Sequence, residues 1–202
     1  AWNIKGLLLA NLKLWDDAIE CHQKALETPG YDTPGYALNN MGNVYDDKRD
    51  YDRAIECYQK ALEATGYDAP GNAYYNMGIA YVNKCEYDRA IECYQKALET
   101  PSFDSAGRTL HNMGSVYQEK RDYDLAIEFY LKALETSGYN RPHFTRNNLA
   151  NCLRELGRFD QALETVKQIL SEPDHEGQHE RAISLRRLIE ESKAGVKPSV
   201  AE

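Results

Sequence analysis

The stretch YDRAIECYQKALE at Tyr51–Glu63 reappears without change at Tyr87–Glu99, an offset of 36 residues. The same offset links four glycines and reaches an alanine at the fifth step: Gly6, Gly42, Gly78, Gly114 and Ala150. A fixed period of this length indicates one supersecondary unit stacked on copies of itself, because no single copy can bury its apolar face alone. The function of such a chain depends on the surface that the stack presents.

Two apolar stripes at helical spacing occur in the second copy. The first consists of Leu38, Met41, Gly42 and Tyr45, and the second of Ala54, Ile55, Tyr58, Ala61 and Leu62. These spacings predict two amphipathic helices joined by a short polar turn. The small residues Gly42 and Ala54 predict a close crossing of the two helix backbones, with tyrosine rings filling the space beside it.

The helix ends and the connectors carry signals of their own. Asp50 and Asp52 are placed to cap the second helix, because a carboxylate accepts hydrogen bonds from free backbone N–H groups and favours the positive end of the helix dipole. Prolines predict the starts of three first helices, at Pro34, Pro70 and Pro142. We expect one aromatic residue per connector to pack the loop onto the stack rather than to bind a partner: Tyr31, Tyr67, Phe103 and Tyr139.

The motif Asn40-Met41-Gly42-x-x-Tyr45, followed by Ala54-x-x-x-Tyr58-x-x-Ala61, resembles the signature of the tetratricopeptide repeat family. The family period is about 34 residues, and the additional residues of this chain fall in its connectors. The resemblance implies an all-α, right-handed α-solenoid of five helix-turn-helix repeats with a 36-residue period. The expected repeats cover residues 1–34, 35–70, 71–106, 107–142 and 143–171.

Beyond the repeats we expect a C-terminal capping helix within residues 172–194 and a flexible tail at residues 195–202. The capping helix should present one apolar face to the last repeat and a polar face to solvent, as terminal repeats require. That predicted apolar face consists of Ala182, Ile183, Leu185, Leu188 and Ile189.

Composition narrows the classes of partner. The net charge is −8, and phosphate binding needs concentrated Lys and Arg. We therefore expect no nucleic-acid partner and a preference for neutral or basic ones. The longest purely apolar run, residues 7–10, is far shorter than the ~20 residues that span a bilayer. Membrane insertion is not predicted.

The five cysteines include no C-x-x-C pair. Cys21, Cys57 and Cys93 occupy the same place in successive copies, so they should lie on successive second helices. Packed helices are about 8–10 Å apart, and this separation exceeds the reach of a disulfide. We therefore predict reduced thiols and a cytoplasmic protein.

One motif suggests zinc hydrolysis. His175-Glu176-Gly177-Gln178-His179 fits H-E-x-x-H, which on a helix places two imidazoles on one face. Here the motif follows a connector, contains a helix-weakening glycine and lacks an evident third ligand. We interpret it as a polar loop that opens the capping helix. With no Gly-rich phosphate loop or nucleophile elbow in the sequence either, we predict no catalytic residue, no metal site, no cofactor and no enzymatic activity.

The repeats vary where a partner would touch them. Residues 37–63 and 73–99 differ at eight positions, all in the first helix or the turn after it. The family resemblance implies that first helices line a concave groove. An asparagine row recurs there, at Asn40, Asn76, Asn112 and Asn148. Amides both donate and accept, so this row either pairs with the backbone of an extended peptide or holds neighbouring helices together.

The predicted function is a non-catalytic protein–protein interaction scaffold that binds a peptide or helical segment in this groove. The alternative is a structural module that self-associates through the array ends or the convex face. The candidate peptide-binding residues are Tyr36, Asn39, Asn40, Asn43, Tyr75, Asn76, Arg108, His111, Asn112, Phe144, Asn147, Asn148 and Asn151.

A more specific partner can be tested against the motif. Some chaperone-binding members of the family hold a C-terminal carboxylate with a clamp of two lysines, two asparagines and one arginine. Asn43 and Asn76 fill the asparagine positions and Arg108 fills one basic position, but Asn39 and Asn112 stand at the other two basic positions. The clamp is incomplete, so binding of a chaperone tail is not predicted.

Overall fold

The structure is a computed structural model that describes residues 1–101, 103–174 and 177–195. This part of the chain contains eleven α-helices and no β-strand, which confirms the predicted all-α architecture of paired helices. The first helices are α1 (Trp2–Asn11), α3 (Pro34–Asp47), α5 (Pro70–Asn83), α7 (Ala106–Glu119) and α9 (Pro142–Glu155). The second helices are α2 (Trp15–Glu27), α4 (Tyr51–Glu63), α6 (Tyr87–Glu99), α8 (Tyr123–Glu135) and α10 (Phe159–Ser171), and α11 (Gln178–Lys193) follows them.

Two compact units divide the chain, Ala1–Asp104 and Ser105–Glu202. In the first unit, α1 packs on α3 and α3 packs on α5, while α2, α4 and α6 pack behind them. In the second unit, α7 packs on α9, and α9 also packs on α11. In each unit, the first helices therefore form a layer with one side against the second helices. The second helices do not cover the other side of this layer. None of the described helices has the length and apolarity needed to cross a bilayer.

The predicted helix starts are confirmed where the structure records them. Pro34, Pro70 and Pro142 each open a first helix. Asp50 caps α4 by accepting a hydrogen bond from the backbone N–H of Arg53 at 3.3 Å. Asp52 has another role, because it forms an ion pair with Lys84 at the end of α5, at 2.7 Å.

The helix crossings explain the recurring glycines. A Cβ placed on Gly42 would lie 2.5 Å from Tyr58 Cε1, and one on Gly78 would lie 2.6 Å from Tyr94 Cδ1. Real Cβ atoms do not approach other carbon atoms so closely, so only glycine lets the tyrosine ring lie flat on the first helix. These rings are buried, and the predicted close crossing is confirmed.

The connector aromatics lie against a glycine in the first turn of the preceding first helix. The distance from a Cβ built on the glycine to the ring is 2.6 Å for Gly35 and Tyr67, 2.7 Å for Gly71 and Phe103, and 2.7 Å for Gly107 and Tyr139. These contacts confirm the predicted packing of the loops onto the helices for Tyr67, Phe103 and Tyr139.

The turn between the first and second helix of each pair contains one residue with a positive φ. It is Lys13, Arg49, Cys85 or Arg121 in four turns and Gly157 in the fifth. The left-handed conformation costs a non-glycine residue about 1–2 kcal/mol, while glycine adds about 0.5–1 kcal/mol of unfolded-state entropy. The strain relieved by glycine is slightly larger than its entropic cost, so glycine is slightly more stable at this position.

Cys85→Gly should therefore raise the free energy of unfolding by up to about 1 kcal/mol, measured by urea denaturation. Cys85 is exposed and has a φ of 60°, so the change removes no buried contact. Cys85→Ala is the matched control because it removes the thiol but keeps the Cβ. Equal stabilisation by alanine would show that backbone strain is not the cause.

The helix α11 packs on both α10 and α9. Ala182, Leu185 and Ile189 are buried, but Ile183 and Leu188 are 58% and 40% exposed. The predicted apolar face is therefore wrong at these two positions. The reason is geometrical: residues spaced i, i+3 and i+7 face the two supporting helices, and the remaining two side chains point away from them.

Ile189→Ala should lower the free energy of unfolding by about 2 kcal/mol, the low end of the range for a buried isoleucine, because α11 has supporting helices on one side only. Ile183→Ala in the same helix is the control and should change stability by less than about 0.5 kcal/mol. Thermal or urea denaturation of both variants gives the comparison. Similar effects of the two changes would mean that α11 is docked in another orientation.

Candidate peptide-binding face

In the first unit, amides link neighbouring first helices. Asn76 on α5 donates from Nδ2 to Oδ1 of Asn39 at 3.3 Å and to Oδ1 of Asn43 at 3.0 Å, both on α3. Asn40 donates to Oδ1 of Asn3 on α1 at 3.2 Å. These bonds support the helix-holding interpretation of the asparagine row at Asn40 and Asn76.

Burial divides the asparagines into two kinds. Asn39 is buried, Asn40 and Asn76 are half-buried, and Asn43 is exposed. The buried hydroxyl of Tyr58 on α4 donates to Oδ1 of Asn43 at 2.9 Å. Asn43 is therefore the member of this group that is both tied to the scaffold and open to solvent.

Two tyrosines stand beside these amides. The hydroxyl of Tyr36 donates to Asp68, and its ring lies edge-on to Tyr67 with the centroids 5.3 Å apart. Tyr75 is half-buried, with ring centroids 6.1 Å from Tyr94 and 6.2 Å from Phe103. Both rings are held by other aromatic residues, so they offer contact area at low entropic cost.

The last turn of α3 carries two carboxylates, Asp46 and Asp47, and no basic residue. Burial raises the pKa of Asp46, and the charge of Asp47 adds to this, while a hydrogen bond with Asn83 acts against it. Oδ1 of Asp46 is buried and has no hydrogen-bond partner among the described residues. Because a helix C-terminus already carries partial negative charge, this end of the face favours a neutral or cationic ligand group.

In the second unit, His111 is half-buried and held on both sides. Its Nδ1 lies 2.8 Å from Thr145 Oγ1, and its ring centroid lies 5.5 Å from that of Tyr130. Burial, and to a lesser degree the charge of Arg141, lower the pKa of His111 to about 4. The imidazole is therefore neutral at physiological pH.

Amides also connect first helices to other elements in this unit. Asn147 donates to Oε1 of Gln178 on α11 at 2.9 Å and to the carbonyl oxygen of His143 at 3.1 Å. Oδ1 of Asn151 accepts hydrogen bonds from the guanidinium group of Arg154, at 3.3 Å and 3.0 Å. These contacts tie α9 to α11 and fix the side chain of Asn151.

The remaining candidate residues of the second unit differ in exposure. Arg108 is exposed and donates to Oγ of Ser105 at 2.8 Å. Phe144 is half-buried, with the guanidinium groups of Arg141 and Arg181 at 5.9 Å and 6.0 Å from its ring centroid. Asn112 and Asn148 are half-buried, and Asn148 also forms a hydrogen bond with the hydroxyl of Tyr130.

The zinc-type motif lies only partly within the described residues, which do not include His175 and Glu176. Nε2 of His179 lies 2.8 Å from the carbonyl oxygen of Glu172. The carboxylate of Glu172 accepts hydrogen bonds from Arg146 at 3.0 Å. Over the described ranges, no cluster of His, Cys, Asp and Glu has the arrangement of a metal site.

The thiols are buried except at Cys85, and all five are free. Burial raises the pKa of Cys57 and of Cys93 to about 11 and that of Cys152 to about 12. A thiol with so high a pKa stays protonated at neutral pH and is a poor nucleophile.

Sequence reasoning missed the side chains that orient the candidate residues. The sequence predicts only a packing role for Tyr58, but its hydroxyl, like that of Tyr130, reaches a polar group of a first helix. Asn3 and Gln178 each complete one inter-helix bond. The 36-residue recurrence of tyrosine was visible in the sequence, but its hydroxyl partner depends on the first helix against which it packs.

The family model of the tetratricopeptide repeat matches residues 1–65, 35–100 and 105–171, most of the chain. The chain belongs to the tetratricopeptide repeat family. The predicted resemblance is thereby confirmed. Tetratricopeptide repeats commonly mediate protein–protein interaction and are typically scaffolds rather than enzymes.

Solved structures share this repeat fold. MamA is 23% identical, with a TM-score of 0.69 over 89% of this chain and 96% of its own. YrrB, a tetratricopeptide repeat protein with an unusual peptide-binding site, is 24% identical, with a TM-score of 0.66 over 87% and 85%. The pilF protein of Pseudomonas aeruginosa is 18% identical, with a TM-score of 0.75 over 96% and 86%. At these identities the likeness concerns the fold alone.

A search of curated protein sequences finds no match to the chain.

Proposed function

We propose that this protein is a non-catalytic scaffold that binds an extended peptide segment of a partner protein. The segment lies on the side of the first helices that faces away from the second helices. The observation that carries the proposal is the exposure and fixed orientation of Asn43. This residue is an exposed amide whose oxygen is tied to Tyr58 and Asn76, so it is rigid and polar on a face that second helices leave uncovered. Preorganised amides of this kind recognise peptide backbone at low entropic cost.

The variation between repeats supports the same face. The second helices α4 and α6 are identical in sequence, whereas α3 and α5 differ. Packing between pairs constrains the second helices, so free variation on the first helices is where specificity can reside. We propose that the binding residues are those predicted from the sequence, with Asn39, Asn40 and Asn76 also holding the helices that present the others.

Charge indicates the chemistry of the bound segment. The net charge is −8, and Asp46 and Asp47 lie at the end of α3 without a basic residue in that turn. Complementary charges guide association and discriminate between partners. A segment with a lysine or arginine near these carboxylates fits the first unit best.

The test is panning of a random 12-residue phage-displayed peptide library against the wild-type protein, followed by calorimetry of the enriched peptides. Asn43→Ala should weaken binding about three- to tenfold, the effect of one hydrogen bond. It should also lower the melting temperature, because the buried hydroxyl of Tyr58 loses its acceptor, so binding is measured well below the melting temperature of the variant. Gln59→Ala, an exposed amide on α4, is the matched control and should bind like wild type. The proposal fails if no peptide binds, or if first-helix changes leave binding unaltered.

A second candidate, self-association, is favoured by one observation. Ile4 and Leu8 on α1 and Leu12 directly after it form an apolar stripe and are 64%, 60% and 70% exposed. The residues equivalent to Leu8 in the next two pairs, Val44 and Ala80, are 2% and 0% exposed because the preceding pair covers them. A second copy of the chain is the partner that we assign to this stripe under this candidate.

Light scattering separates the two candidates. If the second one holds, the wild-type mass exceeds that of the 23.0 kDa monomer, and Leu8→Glu restores the monomer mass. Leu131→Glu, at another exposed leucine on α8, is the control and should leave the mass unchanged. A monomeric wild type at high concentration excludes this candidate.

A further inference from the structure

Tyr58 occupies an unusual position between core and surface. Its ring is 1% exposed and lies on Gly42, yet its hydroxyl reaches the exposed amide of Asn43 at 2.9 Å. A buried tyrosine hydroxyl normally finds a partner inside the protein. Here that partner is a residue of the proposed binding face.

Asn43 is the acceptor in both of its hydrogen bonds to Tyr58 and Asn76. Its Oδ1 accepts from the hydroxyl of Tyr58 and from Nδ2 of Asn76, at 2.9 Å and 3.0 Å. A carbonyl oxygen has two lone pairs, so both are used within the protein. The NH₂ group is attached to the same planar carbon and lies on the opposite side from these two donors.

Asn76 is itself oriented. Its Nδ2 donates to Asn39 as well as to Asn43, and Asn39 is buried on α3. Turning the amide of Asn43 by 180° would place its NH₂ group against the NH₂ group of Asn76 and deprive the buried hydroxyl proton of Tyr58 of its acceptor. Such unsatisfied groups are costly, so the orientation of Asn43 is fixed from two sides.

The equivalent position of the second unit shows the same polarity. Oδ1 of Asn151 accepts two hydrogen bonds from Arg154, which directs its NH₂ group away from the guanidinium. A different side chain thus produces the same result at a position three repeats later. An amide with its oxygen bound within the protein therefore occurs at this position in each of the two units.

We propose that Tyr58 is a positioning residue that fixes Asn43 with its NH₂ group toward the partner, so that this point of the face selects a main-chain carbonyl oxygen. The proposal rests on the proposed peptide-binding function and adds the class of group that is recognised. A partner carboxylate would also accept this hydrogen bond, but it would approach Asp46 and Asp47, which follow Asn43 on α3 in a turn without a basic residue. A neutral carbonyl does not meet this repulsion.

The chain contains a closely matched control. The helix of Tyr94 has the same sequence as that of Tyr58, and both rings are 1% exposed. The residue equivalent to Asn43 next to Tyr94 is Ile79, which has no amide to orient. Tyr58→Phe and Tyr94→Phe therefore each remove one buried hydroxyl, but only the first removes a hydrogen bond to Asn43.

The first arm of the experiment needs no partner. In ¹⁵N-labelled protein, the side-chain NH₂ resonances of Asn43 should shift or broaden in Tyr58→Phe because the amide gains freedom to turn. In Tyr94→Phe they should be unchanged. Unaltered Asn43 resonances in Tyr58→Phe would overturn the proposal, even if both variants lose stability equally.

The second arm uses a 12-residue peptide selected on the wild-type protein and its variants with one backbone C=O replaced by C=S, a weaker acceptor. Tyr58→Phe should raise the dissociation constant about three- to tenfold. At one backbone position, the C=S replacement should weaken binding to the wild-type protein. The same replacement should cause little further loss of affinity in Tyr58→Phe. If the peptide loses affinity only when one of its carboxylates is neutralised, and not on any C=S replacement, the assignment to a main-chain carbonyl is overturned.

The two arms separate the two proposals. A changed Asn43 resonance together with no peptide binding to wild type would support the orientation by Tyr58 and reject the peptide-binding function. Peptide binding that depends on Asn43 but is equal in Tyr58→Phe and wild type would support the function and reject the positioning role.

Discussion

Tyr94→Val should lower the free energy of unfolding by about 3 kcal/mol, because it leaves a cavity where a fully packed ring stood. Gly78→Ala should lower it by about 1–3 kcal/mol, since its new Cβ would lie 2.6 Å from Tyr94 Cδ1 and force the ring to move. This cost exceeds the gain of about 1 kcal/mol that alanine brings to a helix interior.

The double variant should be less destabilised than the sum of the two changes. The chain already contains this combination, since Ala150 and Val166 stand at the equivalent positions of α9 and α10 and both are buried. The Cβ of the alanine occupies part of the space that the smaller valine leaves empty. We expect a coupling energy of about 1–2 kcal/mol in favour of the pair.

Urea denaturation of the two single variants and the double variant measures this coupling. Gln95→Ala, an exposed position on α6, is the control for a change in the same helix and should stay within about 0.5 kcal/mol of wild type. If the two changes in the free energy of unfolding simply add in the double variant, the packing of the Tyr94 ring does not depend on the missing Cβ of Gly78.

Acid should destabilise the protein through His22. This residue stands where other repeats have tyrosine, packs on Gly6 and is fully buried, and neither ring nitrogen has a partner among the described residues. Burial lowers the pKa of His22 from 6.5 to about 4. The unfolded chain therefore takes up a proton first as the pH falls.

The sign follows from that order. Above pH 6.5 both states are neutral at His22 and the stability is complete; between pH 6.5 and 4 the unfolded state gains the proton and stability is lost. The difference in pKa corresponds to about 3 kcal/mol at the acid end. His111, whose pKa is also lowered to about 4, adds to the same decline.

His22→Phe should flatten this decline. Phenylalanine reproduces the ring-on-glycine packing of Tyr58 on Gly42 and cannot be protonated, so the loss of stability between pH 6.5 and 4 should shrink by about 3 kcal/mol. The slope caused by His111 should remain. Denaturation midpoints measured at several pH values test this, and a variant as acid-sensitive as wild type would contradict the assignment.

Much of the fold could be predicted because its signals are local or periodic. Pro34 and Pro70 open helices because the proline ring fixes φ and needs no N–H donor there. Asp50 caps α4 through a backbone group three residues away. A glycine and a tyrosine recur together at these positions in three successive copies, beginning with Gly42 and Tyr58, so their pairing could be inferred without coordinates.

The candidate site could be predicted only as far as residue type and helix face. Asn39, Asn43 and Asn76 are all amides of first helices, yet one is buried, one is exposed and one bridges the other two. Sequence reasoning left open whether such asparagines bind a peptide or hold helices. The structure shows that Asn76 holds helices, and this role does not preclude contact with a partner.

The sequence by itself determined the helices, their pairing and the apolar residues between them, because each depends on neighbours within one repeat. Only the tertiary structure decided which end of the Asn43 amide faces solvent, why His22 is buried without a partner, and why Ile183 of α11 is exposed. These properties arise where side chains from different helices meet. Hydrogen bonds and burial depend on distances of a few tenths of an ångström, and stacking fixes such distances only after the helices have formed.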